Sequence, residues 1–397
     1  MENDQKQLLM EILLGETKRA RVAAGRIAAA GAWEDLVRLA RDWRVCPQLF
    51  QSAGKSVAPW PADARLALSR GAAEAFTYSA FRAGKAIESI HYLEAAGVPV
   101  AAIKGVAAMA LLYGRPDRRT IYDADLLIEP KDLDAALDCL SGLGFTPKGV
   151  DDLVQYRWFV ANSPGFGGNK AIALEGPGGS EIDLHWEMGE ALPARDVIAR
   201  AVRTKLLGRE IPVTHPADGL LVSVRHAIRE NLAAESICRD LVDTAGWCER
   251  LCAAGELAQA LRPDAESRVA MLAVVTILAG YDPESAAAKA AEVFSASLKA
   301  AERRSARNLA ELFEYQLRHG QLNKDVLLLV HSRPWRQIIR GLRGDWNGYL
   351  RSMQSLEDSL GTTESWGARA SRLAKSALGI RGLQLARELA RAKFGSK

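Results

Sequence analysis

Between residues 98 and 190 the apolar pattern of this 397-residue chain leaves helical spacing and breaks into short runs bounded by glycines and polar loops, and that change restricts the fold more than any other feature. Residues 98–103 form an apolar run between Gly97 and Gly105, which suits a buried strand. Residues 106–113 read as a helix, GRPDRRT as a polar loop, and DADLLIE as a second apolar run with acids at its start. Residues 131–143 are helical again and Gly144 closes them. Residues 155–161 and 170–175 flank SPGFGG in the manner of a hairpin, and GPGG at 176–179 leads into EIDLHWE. Strands separated by helices, then strands alone, predict a small α/β or α+β unit.

The flanks keep a helical period. Leu8, Ile12 and Leu13, then Leu36, Leu39 and Ala40, recur at helical spacing, with Pro47, Pro59 and Pro61 as punctuation. A helix over 72–95 ends at Gly97, where a C-cap glycine belongs. Beyond residue 190 the pattern predicts helices over 216–231, 234–253, 265–278 and 286–317. The expected fold class is α+β, a small mixed sheet flanked by N- and C-terminal helical regions. The expected division is a helical region over 1–95, an α/β core over 96–190, a helical domain over 191–365 and a basic amphipathic tail over 366–397.

Composition excludes several classes. With 48% hydrophobic and 25% charged residues, the chain has none of the low-hydrophobicity signature of disorder. A net charge of +4 gives no whole-chain case for nucleic acid or membrane binding, and nucleic acid is not expected as a partner. Residues 366–397 are the exception, with eight basic side chains against Glu388 alone, a net +7. That tail can be drawn as a helix with Ala374, Leu378, Leu385 and Leu389 on one stripe, which predicts docking on the protein's own helices or on a surface or partner. Cys46, Cys139, Cys238, Cys248 and Cys252 are odd in number and form no CxxC, which predicts reduced thiols in a cytoplasmic protein. The acidic, polar N-terminus predicts no signal peptide, and no apolar run reaches transmembrane length.

The chemistry centres on DADLL at 123–127. Alternate side chains of a strand share a face, so Asp123 and Asp125 point one way, about 7 Å apart. Two such carboxylates can share a hard cation, although the same spacing also describes a solvated surface pair. Asp183 lies in EIDLHWE, where Glu181, Asp183 and His185 alternate with Ile182, Leu184 and Trp186. A third acid beside the pair completes the carboxylate set of two-metal phosphoryl transfer, with Asp183 placed to accept a proton from an acceptor hydroxyl. Lys104-Gly105 ends one strand and opens a helix, where free amides and a close backbone approach suit phosphate. Arg115, Arg118 and Arg119 precede the acids, as charge compensation or as a phosphate clamp. His185 and His226 read as packing or hydrogen-bonding residues, and Asp240 as a buried pair partner.

The stretch IKGVAAMALLYGRPDRRTIYDADLLIEPKDLDAALDCLSGLGF resembles the core of the uncharacterised bacterial nucleotidyltransferase family, part of the polymerase-beta-like superfamily. WEDLVRLARDWRVCPQLF, IDLHW, VRHAIRENL and ICRDLVDTAGW are similar to further parts of it, so the likeness runs over roughly residues 30 to 250. The resemblance implies metal-ligand roles for Asp123 and Asp125, a third-carboxylate role for Asp183, and a nucleotide-side role for Lys104, Gly105 and Arg119. It implies Mg²⁺ or Mn²⁺ and a nucleoside triphosphate, ATP by default, as cofactors. Two positions depart from the superfamily pattern: Lys-Gly replaces the usual Gly-Ser, and Tyr122 stands where a small residue is common.

The expected activity is therefore transfer of a nucleoside monophosphate to a hydroxyl or phosphate of a small-molecule, peptide or protein acceptor. The alternatives are a non-catalytic nucleotide- or partner-binding protein that kept the fold, and a glycosyltransferase of the DxD type.

Overall fold

The 34-residue helix Ala62–Ala95 forms from an alanine-rich stretch without an internal proline. It stops where Gly97 turns left-handed at φ 79° and the Val98 N–H bonds back to the Leu93 carbonyl at 2.9 Å. Its buried face is made of small side chains, among them Ala72, Ala75, Ser79, Ala83 and Ala86, so the helix lies close against a sheet.

That sheet has seven strands: β1 (Val100–Ala102), β2 (Ala124–Ile128), β3 (Thr146–Pro147), β4 (Ala171–Gly176), β5 (Ser180–His185), β6 (Val202–Leu206) and β7 (Arg209–Val213), in the order β3-β4-β5-β2-β1-β7-β6. The pairs β2–β5 and β1–β7 are parallel and the rest antiparallel, so the sheet is mixed. β2 sits in the middle and is buried along its whole length. The computed structural model describes residues 2–15, 17–55, 60–148, 171–188, 192–229, 234–262 and 264–319, all within one unit. The α+β fold expected from the sequence, a small mixed sheet flanked by helices, is the one observed.

Three differences have physical reasons. The hairpin β6–β7 lies in a stretch read as helical and joins the sheet beside β1, so the sheet extends past residue 190. Its turn is Leu207-Gly208, at φ 50° and 78°, and only Gly208 advertises it in the sequence. The run expected as one helix over 286–317 is two, Ala286–Ser297 and Ala300–His319, because Leu298 turns extended and buries its side chain. The N- and C-terminal helices also pack on each other, with Glu2–Leu14 against Ala234–Ala254 and Ala300–His319. The strand expected over 155–161, the turn at 165–168 and the tail at 366–397 lie outside the described residues. No described helix is long and apolar enough to cross a membrane. All five cysteines are unpaired, and burial pushes the Cys46 and Cys248 thiols up to about 12.

Candidate functional site

Parallel pairing of β2 with β5 sets the site. The register places Asp125 opposite Asp183 and Leu127 opposite His185. Along β5, Ser180, Ile182 and Leu184 are buried while Glu181, Asp183 and His185 are half-buried, the alternation that the sequence predicts. Donor atoms of Asp125, Asp183 and His185 all lie within 4.8 Å of one another, and among the described residues they form the group with that property. Asp123 stands just before β2, half-buried beside them. Its approach is pinned by the Ile121 N–H, which donates to Ser79 Oγ on the long helix at 3.1 Å.

The three predicted acids are thus neighbours, but the tight set is Asp125, Asp183 and His185. His185 was readable: it shares Asp183's face by period-two alternation, and imidazole is a common metal ligand. The hydrogen-bonding role expected of His185 is present, in its 2.9 Å contact with Asp125 Oδ1.

Charge is finely balanced here. Lys104 Nζ lies 2.7 Å from Asp125 Oδ1, and His185 Nε2 lies 2.9 Å from the same oxygen. Burial alone would raise the Asp125 carboxyl, but the Lys104 ammonium and the His185 hydrogen bond outweigh it and hold the group well below the usual range. Desolvation, then the charges of Asp125 and Asp123, push Asp183 up to about 6. Asp123 is also raised, by burial first and by Asp125 second. Lys104 takes a left-handed backbone, φ 46°, to reach Asp125. For a residue with a Cβ that conformation costs about 1–2 kcal/mol.

Gly105 lines the cavity beside the acids, and its backbone is closely packed. A Cβ there would sit 2.8 Å from Arg119 Nη1 and 2.9 Å from Ile121 Cγ2. Arg119, expected on the nucleotide side, is only 4% exposed. Its Nε and Nη2 donate to Asp243 Oδ2 at 2.9 and 2.7 Å, and Tyr113 donates to Asp243 Oδ1 at 2.8 Å. The guanidinium is committed to this pair, which ties the loop before the acids to the helix Ala234–Ala254. Asp240 is a buried pair partner, as read from the sequence, with Oδ2 2.7 Å from His226 Nδ1. Tyr122 keeps its ring under Arg44, whose Cζ lies 4.0 Å from the ring centroid.

A small cavity separates the acids from the helices Pro216–Arg229 and Ala234–Ala254. Lys104, Asp123 and Asp125 line one side, and His226, Arg239 and Asp240 the other. A larger, open cavity lined by Leu112, Thr204, His215, Glu249 and Arg250 lies at the β6 edge, and the acids are not part of it.

Over residues 29–279 the sequence matches the family described as uncharacterised nucleotidyltransferase, and the chain belongs to that family. An antigenic nucleotidyltransferase-like protein from Paracoccidioides brasiliensis is a structural match at 17% identity and a TM-score of 0.33, covering 53% of this chain and 92% of the other. No curated protein matches the sequence.

Proposed function

We propose that this member of the nucleotidyltransferase family is a divalent-metal-dependent enzyme that moves a nucleoside monophosphate from a nucleoside triphosphate to a hydroxyl or phosphate of a small-molecule, peptide or protein acceptor. The observation that carries the reading is the in-register meeting of Asp125 and Asp183 on adjacent strands, with His185 within 4.8 Å and Asp123 alongside.

The donor set fits a divalent ion. Carboxylate oxygens suit Mg²⁺, and an added imidazole favours Mn²⁺ more than Mg²⁺. Asp125, Asp183 and His185 would hold the ion, with Asp123 as a further carboxylate. Such an ion supplies charge neutralisation at the triphosphate. The chain's own residues do the rest. Asp183, beside Asp125 on the adjacent strand, is placed to take the proton of an acceptor hydroxyl. Lys104, paired with Asp125, can turn its ammonium to a phosphate oxygen once a cation takes over that carboxylate. Arg119 supports the site through Asp243 rather than touching substrate.

One observation favours a second reading, a non-catalytic protein that kept the fold: the Lys104 ammonium already sits on Asp125 as a built-in counter-ion. A single experiment separates the two. Titrate Mn²⁺ into the full chain by calorimetry, then assay γ-labelled triphosphates for release of labelled pyrophosphate with and without Asp125→Asn. The enzyme reading expects saturable Mn²⁺ binding and metal-dependent turnover, both lost in the variant. Absence of both from the wild type supports the non-catalytic reading.

A further inference from the structure

Among the described residues of the cavity, Arg239 is a charged group whose pairing is loose. It lies on the helix Ala234–Ala254 and lines the cavity opposite Lys104, Asp123 and Asp125. Its neighbours are engaged: Asp243 holds Arg119 at 2.7 Å and accepts from Tyr113, while Asp240 holds His226 at 2.7 Å. Arg239, by contrast, makes only a loose ion pair among the described residues, 3.9 Å from Nη2 to Asp240 Oδ1, which is outside hydrogen-bond range. Its Nε is buried with no hydrogen-bond partner, and its side chain is only 13% exposed. A buried donor left without a partner is costly, so a guanidinium in this state is poised for an acceptor from outside the chain. The geometry narrows what that acceptor is. Arg239 and Lys104 face one another across a cavity whose other wall carries metal-type carboxylates, and a planar guanidinium matches a tetrahedral oxyanion with two parallel N–H bonds.

We propose that Arg239 is a phosphate-binding residue of this cavity, donating to the non-transferred phosphates of the nucleotide, or the pyrophosphate they become, from the helical side. It takes the role that the sequence suggested for Arg119. The assignment rests on the nucleotidyltransferase reading for its ligand, but the anion site itself is testable without nucleotide or turnover.

The test uses the full chain and inorganic tripolyphosphate as probe, with binding followed by calorimetry in EDTA and Mn²⁺ binding measured separately. Wild type is expected to bind tripolyphosphate; Arg239→Ala to weaken it by tenfold or more; Arg239→Lys to recover part of the loss; and Asp125→Asn to bind it at least as well, since a repelling carboxylate is gone. Arg239→Ala should keep its Mn²⁺ affinity within about twofold, which also reports an intact fold. Tripolyphosphate affinity equal in wild type and Arg239→Ala, or undetectable in both, overturns the proposal. Loss of Mn²⁺ binding from wild type sinks the enzyme reading separately, because that measurement does not depend on Arg239.

Discussion

Removing the charge of Asp183 should stabilise the protein when no metal is present. In the folded chain this carboxyl has its pKa pushed up to about 6, from 3.8, by desolvation and by Asp125 and Asp123. A folded pKa raised above the unfolded one means that the native state binds the proton more tightly. The favourable contribution is whole below pH about 3.8 and is lost as pH rises through about 6, so at pH 8 the ionised Asp183 is a cost. At about 1.4 kcal/mol for each pH unit between the two values, the full effect is about 3 kcal/mol. The group is half-buried, and solvent screening reduces this to about 1–2 kcal/mol. Asp183→Asn keeps the shape and stays neutral at every pH. In EDTA at pH 8 it should therefore melt above wild type by about 2–4 °C, with the gap closing towards pH 4. Saturating Mn²⁺ should reverse the order, since only wild type keeps the ligand and gains about 2.7 kcal/mol at a hundredfold excess over Kd. Melting curves at four pH values, with EDTA and with Mn²⁺, are sufficient. An Asp183→Asn protein less stable than wild type at pH 8 in EDTA, or a gap that does not shrink on acidification, would refute the reasoning.

Lys104→Ala and Lys104→Gly both remove the ion pair to Asp125, but only glycine relieves the left-handed backbone; urea midpoints should place the glycine variant about 1 kcal/mol above the alanine variant. Arg119→Ala strands the carboxylate of Asp243, which is 2% exposed, and should cost about 3–5 kcal/mol in denaturant unfolding, whereas an exposed pair such as Arg115–Asp117 should cost under about 1 kcal/mol. Gly105→Ala brings a methyl to within 2.8 Å of Arg119 Nη1, so the guanidinium must shift; the variant should lose about 1–3 kcal/mol and, by loosening the loop before Asp123, weaken Mn²⁺ binding in calorimetry.

The sheet strands nearest the site were legible because their sequence signals are local. A glycine-bounded apolar run gave β1, and period-two alternation gave the face of β5 that carries Asp183 and His185. The hairpin β6–β7 was not legible, because leucine occupies a left-handed turn position that usually announces itself with asparagine or glycine. At the site, alternation puts Asp123 with Asp125 and Asp183 with His185, but only the pairing of β2 with β5 brings the two sets together. What Arg119 touches could not. Its partner Asp243 is 124 residues away, and no periodicity links a loop arginine to a helix aspartate that packs against it only in three dimensions. Arg239 adjoins Asp240 in sequence, yet its Nη2 lies 3.9 Å from the Asp240 carboxylate.

The charges of the site and the stability of the fold are held by the same residues. Asp123, Asp125 and Asp183 repel one another, as the raised values at Asp123 and Asp183 show, and the chain offsets this with Lys104 and His185 on a single Asp125 oxygen. That arrangement keeps Lys104 in a conformation that glycine would adopt without strain, and backbone strain of this kind persists where the surrounding structure holds it in place. Here the holding elements are identifiable. Gly105 gives Arg119 room, Arg119 fixes Asp243, and Asp243 fixes the helix that carries Arg239. Acids on the sheet and Arg239 on the helix are therefore held in place by a buried ion pair that also lines the cavity. A pair doing only that should tolerate replacement of both partners by packed apolar residues of similar volume with little loss of stability. The variant Arg119→Met, Asp243→Leu, with Tyr113→Phe to remove the hydroxyl that Asp243 accepts from, should thus fold nearly as well as wild type by denaturant midpoint, and far better than Arg119→Ala. If it bound Mn²⁺ and tripolyphosphate as wild type does, the pair would be a spacer; if it folded but lost both, the pair's own field would be part of the site.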